Sequence, residues 1–304
     1  MADISKIGVV ACGLMGHGIA QVAAQAGYEV VVREVSQEKL DAGIGMIETQ
    51  LARAVDKGRM EQGDAEAVRG RITPTLEYGD LAESDLVIEA ITEDLGLKLE
   101  MWGEVDELVK PEAFFATNTS SLPVIDQAAA TSRPEQFLGL HFFNPVQVMK
   151  LLEVIRAVTT SDEALAVGME FGAKLGKLTV ETRDRAGFIV NRLLVPFLLD
   201  GMRAYEEGVG SIEQIDAAMK AGAGHPMGPL TLSDFIGLDT LGAIADVMFD
   251  EFRERRFARP PLLRKMLAAG WYGRKSGIGF YDYSGDEPVA NPGLIEERAS
   301  DRSA

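Results

Sequence analysis

The chain has 304 residues, which at roughly 150 residues per domain gives two domains. Apolar residues make up 46% and charged residues 25%, a balance that suits a folded enzyme and excludes a disordered or collagenous chain. The net charge of −17 argues against nucleic acid as a partner, and any anionic substrate would need a local cluster of Lys or Arg. Up to about residue 186, short β-branched runs alternate with helical segments. The runs 6–11, 29–33, 86–90, 113–117, 136–140, 150–155 and 177–181 read as strands. Between the first two, Met15, Ile19, Val22, Ala23 and Ala26 recur at the spacing of one helix face. Such alternation predicts an α/β domain over 1–186, with a mostly parallel sheet and helices on both faces. The stretch 38–71 is strongly helical in composition and predicts a helical pair projecting beyond the sheet. From 187 to 304 the strand signals stop, which predicts an all-α domain. There 187–207, 212–221, 240–255 and 261–269 read as helices, joined by turns such as 222–229. Pro196 should bend the first of them. The polar run from Asp286 onward is expected to be loosely ordered.

Residues 6–20 read as a buried strand, a glycine turn and a helix. A Rossmann-type dinucleotide turn takes glycine at the first, third and sixth places of a six-residue motif. Here those places hold Ala11, Gly13 and Gly16, with Leu14 and Met15 between the last two. Gly13 lets the backbone approach a diphosphate, Gly16 lets the helix pack on the strand, and the helix N-terminus offers N–H groups to phosphate. Gly13, Leu14, Met15 and Gly16 are therefore the expected cofactor cradle. Ala11 departs from the motif, and its small side chain limits the damage. Glu34 closes the next strand 18 residues beyond the last glycine, where a carboxylate binds the adenosine ribose hydroxyls. A carboxylate there repels a 2′-phosphate, so NAD is expected over NADP, although Arg33 beside it could accommodate one. Cys12 lies inside the loop with no base near it in sequence, and reads as a small filler rather than a reactive thiol.

An alcohol oxidised by such a cofactor needs a base for its hydroxyl proton, a task that suits a histidine. Of three histidines, His17 lies beside the phosphate loop and His225 precedes a proline in a turn. His141 ends a strand on the sheet's carboxyl edge, where doubly wound folds place ligands. Asn118, Thr119, Ser120 and Ser121 follow the strand 113–117 to the same edge. Glu153, on the next strand, is placed to accept a hydrogen bond from the imidazole. A carboxylate there fixes the tautomer and stabilises the imidazolium. No metal is expected.

The stretches GLMGHGIAQ (13–21), DLVIEAITE (85–93), TNTSSL (117–122), HFFNPVQVMKLLEVI (141–155), GFIVNRLL (187–194), HPMGPL (225–230), DFIGLD (234–239) and GRKSGIGFYDY (273–283) resemble, in this order, the 3-hydroxyacyl-CoA dehydrogenase family. Within it the likeness is to the stand-alone bacterial-type 3-hydroxybutyryl-CoA dehydrogenases, and it covers nearly the whole chain. The resemblance implies reversible NAD-dependent oxidation of an (S)-3-hydroxyacyl-CoA to the 3-ketoacyl-CoA. His141 would be the general base and Glu153 its orienting carboxylate. Ser120 would hydrogen-bond the substrate hydroxyl, with Asn191 near the carbonyl. Glu93, Lys98, Asn144, Lys275 and Ser120 would contact the cofactor, and Lys57 on the projecting helices would meet the coenzyme A phosphates. Ala186, where the family has proline, is a second departure from its pattern. The family also implies a homodimer through the C-terminal helices.

The single cysteine excludes an internal disulfide and fits a reducing cytoplasm. No apolar run reaches the roughly 18 residues of a membrane span. The first strand begins too early to leave room for a signal peptide. Two other readings keep the fold. One is a dehydrogenase of a free hydroxy acid or sugar acid; the other is a catalytically silent NAD-binding protein, which only Ala11 favours.

Overall fold

Strand and helix alternate through the first part of the chain to build one eight-stranded sheet. The computed structural model describes residues 4–294 and divides into two units, one ending at Phe188 and the other beginning at Ile189. The first unit runs β1 (Lys6–Val10), α1 (Gly16–Gln25), β2 (Glu29–Arg33), α2 (Gln37–Asp56), α3 (Gln62–Gly70), β3 (Ile72–Thr75), β4 (Leu86–Glu89) and α4 (Leu95–Leu108). It continues with β5 (Phe114–Thr117), α5 (Val124–Ala128), β6 (Phe137–Phe142), β7 (Leu151–Arg156), α6 (Asp162–Lys174) and β8 (Leu178–Arg183). The strand order is β3-β2-β1-β4-β5-β6-β7-β8. Its first six strands are parallel and follow the dinucleotide-binding order, which reverses direction between β1 and β4. β7 runs antiparallel to β6, and β8 parallel to β7.

Period-2 alternation sends neighbouring residues to opposite cores. Ile7, Val9, Val30, Val32, Leu86 and Ile88 join one cluster with α1, α2, α3 and α6. Val10, Val31, Val87 and Phe115 join the other, against α4 and α5. There Trp102 packs its ring 4.8 Å from Phe137 and 5.1 Å from Phe115.

Two expectations need correction. The helices of 38–71 do not stand clear of the sheet: Leu40, Ile44, Ile47, Leu51, Ala65 and Val68 are buried in the α1 core. The turn joining the helices, around Lys57, is exposed, as are the outer faces of both helices. β3 was not anticipated. It is an edge strand carrying Pro74, a residue that such a position tolerates because no central ladder needs its N–H.

The second unit is helical: α7 (Val190–Glu206), α8 (Ile212–Ala223), α9 (Pro229–Ile236), α10 (Leu238–Phe252) and α11 (Pro261–Ala268). A small antiparallel pair, β9 (Tyr281–Asp282) and β10 (Val289–Ala290), is added. β10 falls in the polar run from Asp286, of which residues 295–304 lie outside the described residues. Pro196 sits inside α7 and is buried. Two buried aspartates tie the unit together. Asp216 accepts from the Leu230 and Thr231 N–H groups at the start of α9, from the Thr231 hydroxyl and from Tyr281. Asp234 accepts from the Phe280 and Tyr281 N–H groups and from Tyr283. Glycine makes room for both: an added Cβ would lie 2.3 Å from Asp216 Cγ at Gly228 and 2.1 Å from Asp234 Oδ1 at Gly279. Burial raises the Asp234 carboxyl to about 6, against the pull of its donors. Burial and the neighbouring aspartates push Tyr281 and Tyr283 up, so both remain donors.

Candidate active site

Because β1, β2, β4, β5 and β6 are parallel, the residues that follow each one emerge at the same edge of the sheet. A cleft of about 800 Å³ opens there, lined by residues 11–15 after β1, 33–35 after β2 and 90–92 after β4. Its walls come from α2, with Gly43 and Met46, and from α4, with Leu97 and Met101. The glycine requirements can be read atom by atom. An added Cβ at Gly16 would lie 1.9 Å from the Ala11 carbonyl oxygen, so only glycine lets α1 start so close to the strand end. At Gly13 the same Cβ would meet nothing within 4 Å. It would instead fill open space beside the α1 N-terminus, the space that a diphosphate would take. Ala11 has φ +84°, the left-handed conformation that favours glycine, so this departure from the motif carries backbone strain. A dinucleotide therefore fits this cradle.

Glu34 is buried behind the loop. Its Oε2 accepts the Cys12 N–H at 2.9 Å and its Oε1 the Val35 N–H at 2.7 Å. Besides facing the cleft, it therefore fixes the loop's backbone. Arg33 turns its guanidinium 3.7 Å above the Tyr78 ring and donates to the Tyr78 hydroxyl and the Leu76 carbonyl. The Cys12 thiol is fully buried and raised to about 12, by burial first and then by the Glu34 charge. At neutral pH it is a thiol and inert. Gly43 of α2 packs on it so closely that a Cβ would come within 2.2 Å of the Cys12 carbonyl oxygen. His17 is buried, with Nδ1 at the Gly13 carbonyl and Nε2 near the Gln50 amide. Since a carbonyl only accepts, Nδ1 carries the proton, and the ring braces the loop against α2.

His141 and Glu153 stand directly opposite each other in the β6–β7 register. Their exposures are 3% and 0%, and Nδ1 lies 2.7 Å from Glu153 Oε2. A carboxylate only accepts, so Nδ1 carries the proton and Nε2 is the ring atom left for exchange with a ligand. The imidazole is flanked by Phe143 and Phe188, with ring centroids at 4.5 and 5.4 Å. Gly187 and Phe188 both have positive φ, +79° and +46°, which turns the Phe188 ring onto the histidine. Asn118 Oδ1 accepts the Phe142 N–H at 3.0 Å, tying the loop after β5 to the end of β6.

That loop, 117–122, is held by Glu93, whose Oε1 accepts from the N–H groups of Ser120 and Ser121 and from the Thr119 hydroxyl. Lys98 is only 1% exposed and pairs with Glu89 at 2.5 Å and Glu93 at 3.4 Å. Burial raises the Glu89 carboxyl, opposed by Lys98 and by hydrogen bonds from Thr117 and Ile91. Asn144 is exposed after β6, and Lys57 is exposed at the tip of α2. Asn191 and Lys275 belong to the second unit: Asn191 is half-buried in the first turn of α7, and Lys275 is ion-paired with Asp239. Glu89 and Gly43 were not legible as site residues in the sequence. A carboxylate closing the apolar run LVIE was the available signal for Glu89. For Gly43 there was none, because only the packing of α2 on Cys12 reveals the need.

A family model described as the 3-hydroxyacyl-CoA dehydrogenase NAD binding domain matches residues 6–185, and one for the C-terminal domain matches residues 187–283. The chain belongs to this family. It is 48% identical to a 3-hydroxybutyryl-CoA dehydrogenase of Mycobacterium tuberculosis, over 93% of this chain and all of the relative. It is 46% identical to a 3-hydroxybutyryl-CoA dehydrogenase of Bradyrhizobium diazoefficiens, over 95% of this chain and 98% of the relative. Among solved structures, an (S)-3-hydroxybutyryl-CoA dehydrogenase of Ralstonia eutropha superposes with a TM-score of 0.90 at 40% identity, covering 93% of this chain and all of that one. The family member described here is an oxidoreductase that uses NAD and acts on 3-hydroxyacyl-CoA. No helix among the described residues is long and apolar enough to cross a membrane.

Proposed function

We propose that the chain interconverts (S)-3-hydroxybutyryl-CoA and acetoacetyl-CoA, with His141 moving the proton of the C3 hydroxyl. The buried pairing of His141 Nδ1 with Glu153 at 2.7 Å carries this reading. With Nδ1 committed to the carboxylate, Nε2 takes the hydroxyl proton, and the imidazolium that forms is stabilised by Glu153 across the strand pair. NAD, when bound, receives the hydride that leaves C3. In the reverse direction the imidazolium returns its proton to the C3 oxygen. Phe143 and Phe188 exclude water from the two sides of the ring, which strengthens the ion pair. Ser120 and Asn191 hold the acyl end so that C3 faces the transfer path, a positioning effect. Glu34 selects the unphosphorylated ribose, and Glu93, Lys98, Ser120, Asn144 and Lys275 complete the cofactor side of the site. Lys57, exposed in a strongly acidic protein, supplies a local cation for the coenzyme A phosphates. The four-carbon substrate is supported by the names of the relatives.

Leu193, Val209 and Phe235 expose large apolar side chains on the second unit, which supports a homodimer through its helices. Light scattering should then give twice 32.8 kDa. A reducing cytoplasm suits its single, buried cysteine. The test of function is a spectrophotometric assay with acetoacetyl-CoA, longer 3-ketoacyl-CoA esters and free acetoacetate, each with NADH and NADPH. Fastest turnover of acetoacetyl-CoA with NADH is expected. A preference for the free acid overturns the coenzyme A assignment, and no turnover of any substrate overturns the enzyme reading.

A further inference from the structure

The family resemblance places Glu93 and Lys98 against the cofactor, and the packing around them serves a second purpose. Lys98 has almost no exposed surface, and its ammonium lies between two carboxylates: Glu89, at the end of β4, and Glu93, in the loop before α4. Glu89 is fully buried. Its Oε1 accepts from Lys98 and the Ile91 N–H, and its Oε2 accepts from the Thr117 hydroxyl at 2.6 Å. Glu93 is 38% exposed at its side chain, but its Oε1 is surrounded by donors from one short segment. These are the Thr119 hydroxyl at 2.5 Å, the Ser120 N–H at 2.9 Å, the Ser121 N–H at 3.2 Å and the Ser121 hydroxyl at 3.4 Å. The Thr119 hydroxyl in turn accepts the Ser121 and Leu122 N–H groups. At its other end the segment is fixed by Asn118, whose N–H reaches the Glu89 carbonyl and whose side chain holds the residue after His141.

We propose that Glu93, braced from within by Lys98, is a positioning residue for Ser120: it folds the 118–122 segment so that the Ser120 hydroxyl is presented at the same sheet edge as His141. The inference deepens the proposed function and rests on Ser120 being the residue that meets the acyl substrate. The chemistry favours this role. One carboxylate oxygen gathering several donors makes charge-assisted bonds, each stronger than a neutral one, and a segment so gathered has little freedom. Asn118 and Glu93 anchor the segment on the two sides of Ser120, which defines the hydroxyl's place as a single anchor cannot. Lys98 supplies the counter-charge without which two carboxylates in this corner would repel each other.

The test compares Glu93→Ala, Glu93→Gln, Ser120→Ala and the Glu93→Ala/Ser120→Ala double variant. For each, kcat and KM for acetoacetyl-CoA are measured at saturating NADH, and the NADH dissociation constant is measured separately by fluorescence titration. Glu93→Ala is expected to lower kcat/KM by roughly 10- to 100-fold, the range in which misplaced catalytic groups fall. Because NADH is saturating, this loss is separate from any that Glu93 causes in cofactor binding. Glu93→Gln keeps an oxygen that accepts the Ser120 and Ser121 N–H groups and should recover most of the loss. In the double variant the two losses should not multiply, because both act through one hydroxyl. A loss confined to the NADH dissociation constant, or losses that multiply in the double variant, would overturn the inference and leave the proposed function standing. If Glu93→Ala does not fold, Glu93→Gln decides: the inference survives only when its loss on the acyl substrate at saturating NADH does not multiply with that of Ser120→Ala. Ser120→Ala without effect on acetoacetyl-CoA would remove Ser120 from the site and overturn the inference with it.

Discussion

Glu153 in the first unit and Asp234 in the second are both buried carboxylates held by hydrogen bonds, yet their partners differ in kind. Asp234 meets two backbone N–H groups and a tyrosine, none of which gives up its proton near neutral pH. Glu153 meets an imidazole, a group that can serve as either acid or base. Glycine crowds Asp234, whereas β6 and β7 simply face His141 with Glu153 across a ladder. Burial and pairing alone therefore do not mark a reacting group. What marks one is a partner that can change its protonation, at an edge where a ligand can arrive.

Substitutions on the two sides should break this comparison in opposite ways. His141→Ala should lower turnover by about 10³-fold, the range of a lost general base, with NADH binding retained in a fluorescence titration. Asp234→Asn should leave the catalytic rate per folded molecule close to wild type and lower unfolding stability by about 3 kcal/mol in urea, since an amide cannot accept from every donor around it. Equal losses of rate and stability in both variants would erase the distinction.

Acid sharpens it further. Asp234 is raised to about 6, so between there and its ordinary value the native state holds a proton that the unfolded chain has lost. Its contribution to stability is largest below that ordinary value and is lost as pH rises through about 6. Wild type should therefore gain on Asp234→Asn as pH falls from 7.5 to 4.5. Asp85 is lowered to about 2 by Lys110 and by hydrogen bonds from Ser5 and Lys6, against the cost of burial. Its contribution is full at pH values above the ordinary carboxylate range and is lost as pH falls toward about 2. The gap between wild type and Asp85→Asn should stay flat from 7.5 to 4.5 and close only below that. Urea midpoints across this range check both signs.

Smaller effects are expected in the glycine loop. Ala11→Gly should relieve the strain of φ +84° and stabilise the protein by about 1 kcal/mol, read as a rise of about 2–4 °C in Tm. Cys12 should resist iodoacetamide at pH 8 and label only in denaturant, as followed by intact mass.

The sequence carried the parts of this design that depend on local rules. Alternation in 6–11 and 29–33 betrayed the central strands, and Gly13, Gly16 and Glu34 announced a dinucleotide loop because their spacing is a property of one turn and one strand. His141 and Glu153 were legible as a pair because they sit on consecutive strands. β3 was hidden by Pro74, a strand breaker everywhere but at an edge. The role of α2 was misjudged because its apolar stripe is diluted by charge on the other faces, and Gly43 looks like a helix defect until Cys12 is seen beneath it. Glu89 and Lys98 join through the fold across a strand and a helix, so their pairing was invisible from spacing. The tie from Glu93 to Ser120 was equally out of reach, since it spans two loops.

The claim on which the rest depends is that Glu153 serves the proton transfer at His141 and not the binding of cofactor. Glu153→Gln, assayed with acetoacetyl-CoA at saturating NADH and titrated with NADH in the same preparation, tests it most directly. A fall in kcat of about 100-fold with an NADH dissociation constant within about 2-fold of wild type is the predicted result. An unchanged kcat, or a loss that appears only in NADH binding, would contradict it.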